Sequence, residues 1–332
     1  MIKLIENAWQ TKNALFYLAL VPLSRLFAGV TALRRWAYQT GILKSYKLPV
    51  PVIVVGNITV GGNGKTPVVM WLVEQLRSNG FQPGVISRGY GGSATLPTSV
   101  SANSQPSEVG DEPVLIANRC ACPVFVGADR VRVAKALLSA HPECNIIISD
   151  DGLQHYALKR DVEIAVTQPD TLQTGQDNMR LLPAGRLREP LERLNTVDAI
   201  VCNGGKMNSK QSHAAQFTMQ LIGEQFYNLH DNTKASAADF KRKSIKAIAG
   251  IGRPARFFEH LSKLGLAFAS ISFDDHYAFS AQELANIECD VLIMTEKDAV
   301  KCKAFALAHY WVLPVQATID EGLLAIILSK LT

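Results

Sequence analysis

An α/β fold, with a mostly parallel sheet and helices on both of its faces, is the class the sequence predicts, and two observations predict it. Short β-branched runs alternate with helical stretches along most of the chain, as strands joined by crossover helices require. The runs are apolar throughout rather than alternating, which is the pattern of strands buried on both faces. With 332 residues, 48% of them hydrophobic, the chain can bury the cores of two domains. Charged residues make up 19%, and no segment has the aromatic-poor, highly charged composition of a disordered region.

Residues 1–47 come first, as an N-terminal apolar and basic helical segment. Lys3, Lys12, Arg25, Arg34, Arg35, Lys44 and Lys47 stand there against Glu6 alone, so the formal charge of +5 is concentrated at one end. Such an excess points to a local anionic partner and away from a broad nucleic-acid face. The run "NALFYLALVPLSRLFAGVTALRR" is too interrupted to span a membrane, because Arg25 at its middle costs about 2.5–3.5 kcal/mol on insertion scales. Nor is it a signal peptide, since Arg34 and Arg35 close the run where a cleavage site would follow. Two helices meeting near Pro22 are expected. They either lie in a membrane interface or pack on the core or a dimer partner.

Residues 48–215 form the main domain. "VPVIVVGN" reads as a strand, "TPVVMWLVEQLRSNG" as a helix and "FQPGVISRGY" as a strand with its loop. "EPVLIANRC" is a helix, "PVFVGADR" a strand, "VRVAKALLSAHP" a helix and "NIIISDDGLQH" a strand running into an acidic loop, followed by "DVEIAVTQP" and "VDAIVCNGG". The polar stretch at 203–216 has the look of a linker. Residues 216–230 are expected as an extended linker holding two pieces around Gly223, before a smaller α/β domain over 231–332. The six cysteines lack C-x-x-C spacing and read as reduced thiols.

Between the first strand and its helix lies "GNITVGGNGKTP", residues 56–67. Glycines let backbone N–H groups curl around phosphate oxygens, and a helix N-terminus adds a favourable dipole. Lys65 would reach the terminal phosphates and Thr66 would ligate Mg²⁺. The nucleotide-cradling residues are therefore Thr59, Val60, Gly61, Gly62, Asn63, Gly64, Lys65, Thr66 and Pro67. Thr59 stands where the general spacing has glycine. The domain is accordingly of the P-loop NTPase type. Asp150 and Asp151 end an apolar strand, where ligands of open α/β sheets gather, so Asp150 is the natural Mg²⁺ partner with Asp151 beside it.

Other charged turns are less specific by themselves: "VISRGYGG", "EVGDEP", "LLPAGRLREP", "SFDDHYAFS" and "TEKDAVK", in which Thr295 is a capping residue. Together, and in this order, the motifs "GNITVGGNGKTP", "SRGYGG", "VGDEP", "DDGLQH", "LLPAGRLRE", "FDDHY" and "TEKDAVK" resemble those of the tetraacyldisaccharide 4′-kinases. Thr59 fits too, because that family has a small polar residue at this position. The resemblance implies transfer of the ATP γ-phosphate to the 4′-hydroxyl of tetraacyldisaccharide 1-phosphate in lipid A synthesis. It implies ATP and Mg²⁺ as cofactors and a peripheral position on the cytoplasmic face of the bacterial inner membrane.

By the same resemblance Asp111 is the base that accepts the hydroxyl proton, His276 is its partner from the second domain, and Glu189 is a further acid at the metal. Within the matched motifs, Arg88, Gln154, His155 and Arg188 are assigned to the acceptor substrate. Closure of the two domains is expected to assemble Asp111 with His276. The N-terminal segment is then a membrane-docking element, with Arg25, Arg34 or Arg35 near lipid phosphates, and a monomer is expected. A P-loop GTPase or ATPase acting as a switch is the rival reading. It should carry a guanine-reading N-K-x-D loop, which neither Asn203-Gly204-Gly205-Lys206 nor "TEKDAVK" supplies.

Overall fold

The computed structural model describes residues 14–169, 180–205 and 214–331. Lys3, Glu6 and Lys12 of the basic segment, and most of the polar stretch at 203–216 with its Lys206, lie outside the described residues. The strands are β1 (Val52–Gly56), β2 (Pro83–Ser87), β3 (Thr98–Val100), β4 (Val124–Val126), β5 (Ile146–Asp150), β6 (Val162–Thr167), β7 (Ala199–Asn203) and β8 (Ala215–Ile222). They continue as β9 (Gln225–Asn228), β10 (Lys234–Ser236), β11 (Ile245–Ala249), β12 (Ala269–Ser272), β13 (Val291–Thr295), β14 (Tyr310–Leu313) and β15 (Gln316–Ile319).

Among the described residues a 9-stranded sheet has the order β15-β8-β7-β6-β1-β5-β2-β4-β3, and a 6-stranded sheet the order β10-β9-β14-β13-β11-β12. The first is parallel from β8 to β4, with antiparallel strands β15 and β3 at its edges. In the second, β14, β13, β11 and β12 run parallel. The central strands β1, β5, β6 and β7 are buried at every residue, as their unbroken apolar runs require.

The helices are α1 (Ala14–Gln39), α2 (Lys65–Ser78), α3 (Pro106–Val109), α4 (Asp111–Cys120), α5 (Arg130–Ala140), α6 (Pro254–Lys263), α7 (Ala281–Ala285), α8 (Glu296–Cys302) and α9 (Gly322–Leu331). Helix α1 corrects the expectation of two helices, since it runs unbroken through Pro22. A proline inside a helix removes one amide bond and crowds the preceding turn, at roughly 3 kcal/mol. Here the lost bond is one of many along 26 residues, and the helix is anchored where Ser24 Oγ donates to Leu181 O at 2.7 Å. Leu20, Ser24 and Ala37 are buried, while Leu23, Leu26, Val30, Leu33 and Trp36 point outward.

The domain boundaries also shift. Residues 216–230, expected as a linker, are mostly β8 and β9, so the chain leaves one sheet and enters the other across Gly223 and Glu224. The end of the chain does not stay with the second domain. Strand β15 pairs with β8, and Leu323 and Ile327 of α9 join the core of the first sheet. An apolar C-terminal helix needs a partner face, and the first sheet offers one beside α2.

Candidate active site

The carboxyl ends of β1, β2, β5, β6 and β7 converge, because these strands are parallel neighbours. Val55 of β1 pairs with Asp150 of β5, which puts the acid pair beside the loop that follows β1. Gly64 holds φ 90° as it caps α2, a left-handed conformation that glycine adopts without strain. The loop is tied to the sheet on its far side: Gln168 Nε2 donates to Gly62 O at 3.0 Å, and Asn203 Nδ2 to Asn63 O at 3.1 Å. Gln168 and Asn203 were missed in the sequence. Their signal was available, as each is a polar residue at or just past the end of a buried strand.

Thr59 and Val60, expected among the nucleotide-cradling residues, brace the loop and lie outside the cavity's lining. Thr59 is only 2% exposed, and its hydroxyl accepts from Asn63 Nδ2 at 2.7 Å. Thr59 also bridges Leu187, and Val60 N donates to Arg186 O at 2.9 Å. A hydroxyl therefore replaces the conventional glycine because the loop is braced there by "GRLRE". The cavity of about 460 Å³ is lined from Gly62 to Pro67 on this side. Gly252, Arg253, Arg256, His260 and Lys297 face them from the second domain.

Asp150 is buried, with Oδ2 accepting from Ser87 Oγ at 3.1 Å and Oδ1 buried without a partner. Burial pushes its pKa up to about 7, with the charges of Glu112 and Asp151 adding to the rise and Lys65 opposing it. A buried carboxylate oxygen with an unfilled lone pair beside a phosphate loop suits a hard divalent cation. Asp151 lies in the left-handed region at φ 47°. Its carboxylate sits 3.5 Å from Lys65 Nζ and 3.0 Å from Arg188 Nη1. Burial raises its pKa, yet Lys65 and Arg188 outweigh that and hold it below the ordinary range.

Arg130, also missed, is buried near this pair; burial lowers its pKa to about 10, and Asp150 and Asp151 oppose the fall. Its Nη1 donates to Gly127 O at 2.8 Å, while Nε is buried without a partner. Arg88 is exposed nearby, with no ion pair among the described residues.

Glu189, expected at the metal, is engaged within the protein. Both of its oxygens are taken, by Gln154 Nε2 at 2.7 Å, by the Tyr156 hydroxyl and by Arg193 Nε at 3.4 Å. No cluster of three His, Cys, Asp or Glu side chains suited to a metal occurs among the described residues. Gln154 and His155, expected at the acceptor, likewise have partners within the protein. Gln154 also donates to Asn57 O at 3.0 Å, and His155 Nε2 accepts from Arg130 N at 3.3 Å. Burial, helped by the Arg130 charge, pushes His155 down to about 4, so it is neutral and acts as an acceptor at the start of α5.

A second cluster forms across the domain boundary. Asp111 opens α4, and His276 Nδ1 lies 3.0 Å and 2.9 Å from its two carboxylate oxygens. The pair stands assembled between the packed domains. "SRGYGG" and "VGDEP" support it backbone against backbone: a Cβ on Gly92 would come 2.4 Å from Glu108 O, and one on Gly110 would come 2.8 Å from Tyr90 O. The Tyr90 ring lies 5.1 Å from the His276 ring. Lys297, missed as a site residue, contacts Glu112 Oε1 at 2.9 Å, Asp275 Oδ1 at 3.0 Å and His276 Nε2 at 3.4 Å.

Burial pushes the Asp111 pKa up, but the His276 hydrogen bond and the charges of Lys297, His276 and Lys301 bring it below the ordinary value. Burial pushes His276 down and Lys297 repels its proton, yet the bond to Asp111 leaves it raised overall. Thr295 caps α8 as expected, accepting from Asp298 N at 3.2 Å. The two clusters share the cavity, whose wall includes Lys65, Thr66, Glu112 and Lys297.

Comparison with known proteins gives a consistent result. The family model described as tetraacyldisaccharide-1-P 4′-kinase matches residues 16–332. The tetraacyldisaccharide 4′-kinase of Methylobacillus flagellatus is 48% identical over 99% of this chain and 96% of its own length. That of Nitrosococcus oceani is 45% identical over 99% of this chain and 94% of its own. Among solved structures, the "apo" form of LpxK from Aquifex aeolicus in complex with ATP aligns with a TM-score of 0.80 at 29% identity, covering 96% of this chain and 100% of that one.

Proposed function

The chain belongs to the tetraacyldisaccharide-1-P 4′-kinase family, and from that premise we propose how its residues divide the work. The reaction is ATP-dependent phosphorylation of the 4′-hydroxyl of tetraacyldisaccharide 1-phosphate, a step of lipid A synthesis. The loop from Gly62 to Thr66 cradles the nucleotide phosphates with its backbone N–H groups, and Lys65 neutralises their charge. Thr66 and Asp150 are the residues that would hold Mg²⁺, which when bound neutralises charge on the β- and γ-phosphates. Asp151 keeps Lys65 and Arg188 aimed at the site, and the exposed Arg88 is a cation for the acceptor side.

Asp111 accepts the proton as the 4′-hydroxyl oxygen forms its bond to the γ-phosphorus and the bond to ADP breaks. Such transfers have a loose transition state, so a weak base that orients the hydroxyl suffices. The observation that carries this reading is the buried Asp111 carboxylate, held by His276 across the domains and next in the chain to Glu112, which lines the cavity together with the phosphate loop.

The protein reaches its substrate through α1. An acceptor with four acyl chains stays in the bilayer, and the outward stripe of α1, with Leu26 66% and Leu33 63% exposed, suits insertion into an interface. No described helix is long and apolar enough to cross a membrane, which fits attachment from one side. Arg25 and Arg34 flank the stripe within reach of lipid phosphates. A peripheral position on the cytoplasmic face of the inner membrane, where ATP is present, is the location that this reading proposes.

Incubation with Mg-ATP and tetraacyldisaccharide 1-phosphate in detergent micelles tests the whole reading. The expected product carries a 4′-phosphate, and ATP hydrolysis without lipid phosphorylation would overturn it. Leu26→Glu with Leu33→Glu should abolish recovery on anionic vesicles while leaving the fold intact by circular dichroism.

A further inference from the structure

Among the described residues Lys297 meets three polar groups, each able to accept a hydrogen bond. An ammonium has three N–H donors and no lone pair. The groups within reach are Glu112 Oε1, Asp275 Oδ1 and His276 Nε2, so each proton has a place. A ring nitrogen that meets an ammonium at 3.4 Å must present its lone pair. The ring proton of neutral His276 is then on Nδ1, which is where the Asp111 carboxylate lies.

We propose that Lys297 is a positioning residue for the phosphoryl transfer, one that holds His276 in the Nδ1-protonated tautomer so that the ring orients Asp111 and does not carry the proton onward. This inference rests on the reading of Asp111 as the base. With Nδ1 already protonated, His276 has no site facing Asp111 to receive a proton. The acceptor hydroxyl gives its proton to Asp111, and its oxygen pair forms the new bond to phosphorus. His276 contributes direction and a hydrogen bond, as an orienting group does behind a catalytic one.

The neighbours of His276 agree with this arrangement. Asp111 faces it from α4, Asp275 from its own loop, Lys297 from α8 and the Tyr90 ring from the loop after β2, while Glu112 is held by Lys297 and Lys301 by Asp298. Asp111 and Asp275 favour the charged ring, and Lys297 opposes it. The lysine is itself kept charged, its pKa raised by Glu112, Asp111 and Asp275 against the effect of burial. Without Lys297, imidazolium persists to higher pH and withdraws the proton affinity of Asp111.

The test is the pH dependence of kcat with Mg-ATP and tetraacyldisaccharide 1-phosphate in micelles. In Lys297→Met the acid limb should move up by about one pH unit, and Lys297→Arg should return it. An unmoved limb overturns the inference, as does a raised KM for ATP with the limb unmoved, which would make Lys297 a phosphate ligand. Should Lys297→Met fail to fold, ¹⁵N shifts of His276 in the native enzyme decide: a proton on Nδ1 supports the tautomer and one on Nε2 overturns it. Asp111→Asn run alongside separates the two levels. If it keeps full turnover, the base assignment itself fails; if it loses turnover while the Lys297 limb is unmoved, only the role of Lys297 fails.

Discussion

The phosphate loop and the Asp111–His276 cluster, whose neighbours Glu112 and Lys297 line the loop's cavity, are held in different ways. At the loop, the supporting side chains come from the carboxyl ends of neighbouring strands in one sheet: Ser87, Asp150, Gln168 and Asn203. At the other cluster, Asp111 and Glu112 meet Asp275, His276 and Lys297 from another sheet's domain. The first geometry is set by strand register and survives small domain movements. The second depends on how two domains dock, so it can respond to ligand, pH and remote packing. On the proposed roles, the phosphate loop is held within one sheet, and the acceptor's base is completed from the other domain.

Substitutions should separate the two clusters. The largest effect is expected for Asp111→Asn, with kcat reduced about 10²–10⁴-fold and ATP binding retained. Isothermal titration with ATP alongside the kinase assay checks both halves. Lys65→Met should cost about 10²–10³-fold in kcat and weaken ATP binding as well, since a preorganised cation on the phosphates is lost. Equal ATP affinity in both variants would erase the distinction between donor and acceptor clusters.

Gly92→Ala strikes the second cluster through its support, because the new Cβ would meet the Glu108 carbonyl. A loss of about 1–3 kcal/mol in stability is expected, read by chemical denaturation, together with a fall in kcat. Thr59→Ala should be the mildest, at about 1 kcal/mol for the lost bond to Asn63. Its signature would be a few-fold rise in KM for ATP with the pH profile unchanged.

Docking of the domains should also show a pH window. The folded pKa of His276 is raised, so its contribution is complete below the ordinary 6.5 and is lost as pH rises through the higher folded value. That of Asp111 is lowered, so its contribution is complete above the ordinary 3.8 and is lost as pH falls through the lower folded value. The pair therefore stabilises most between these two ordinary values. Subtracting the melting temperature of His276→Asn from that of the native protein, pH by pH, should give a maximum in that interval and a decline above it. A flat difference would mean that the cluster does not link the domains.

Much of this was readable in advance, and the failures have physical causes. The alternation of buried strands with helices, the glycine loop before α2, the acid pair after β5 and the cap at Thr295 are local patterns whose consequences follow within a few residues. The partners of Glu189 were not readable, because a carboxylate in a charged loop looks the same whether it faces a metal or is held by Gln154, Tyr156 and Arg193. The same holds for His155, since only the fold reveals that its ring caps α5. Pro22 marks a helix break in most contexts, but α1 carries it. Lys297 and Arg130 were passed over because a lone cation in a mixed-charge turn is usually solvated.

By itself the sequence determined the class of fold, the phosphate loop with its strand-to-helix setting, the acids at the strand end and the apolar, basic character of α1. Each is a short-range property, written in residue type and period. Tertiary structure alone decided which carboxylates are free and which are saturated, where the last strand and helix return, and which face of α1 is left uncovered. It also decided that Lys297 meets His276 while His276 meets Asp111. Those outcomes depend on contacts between residues far apart in the chain, and a side chain's charge state and hydrogen-bond capacity are set by what packs against it.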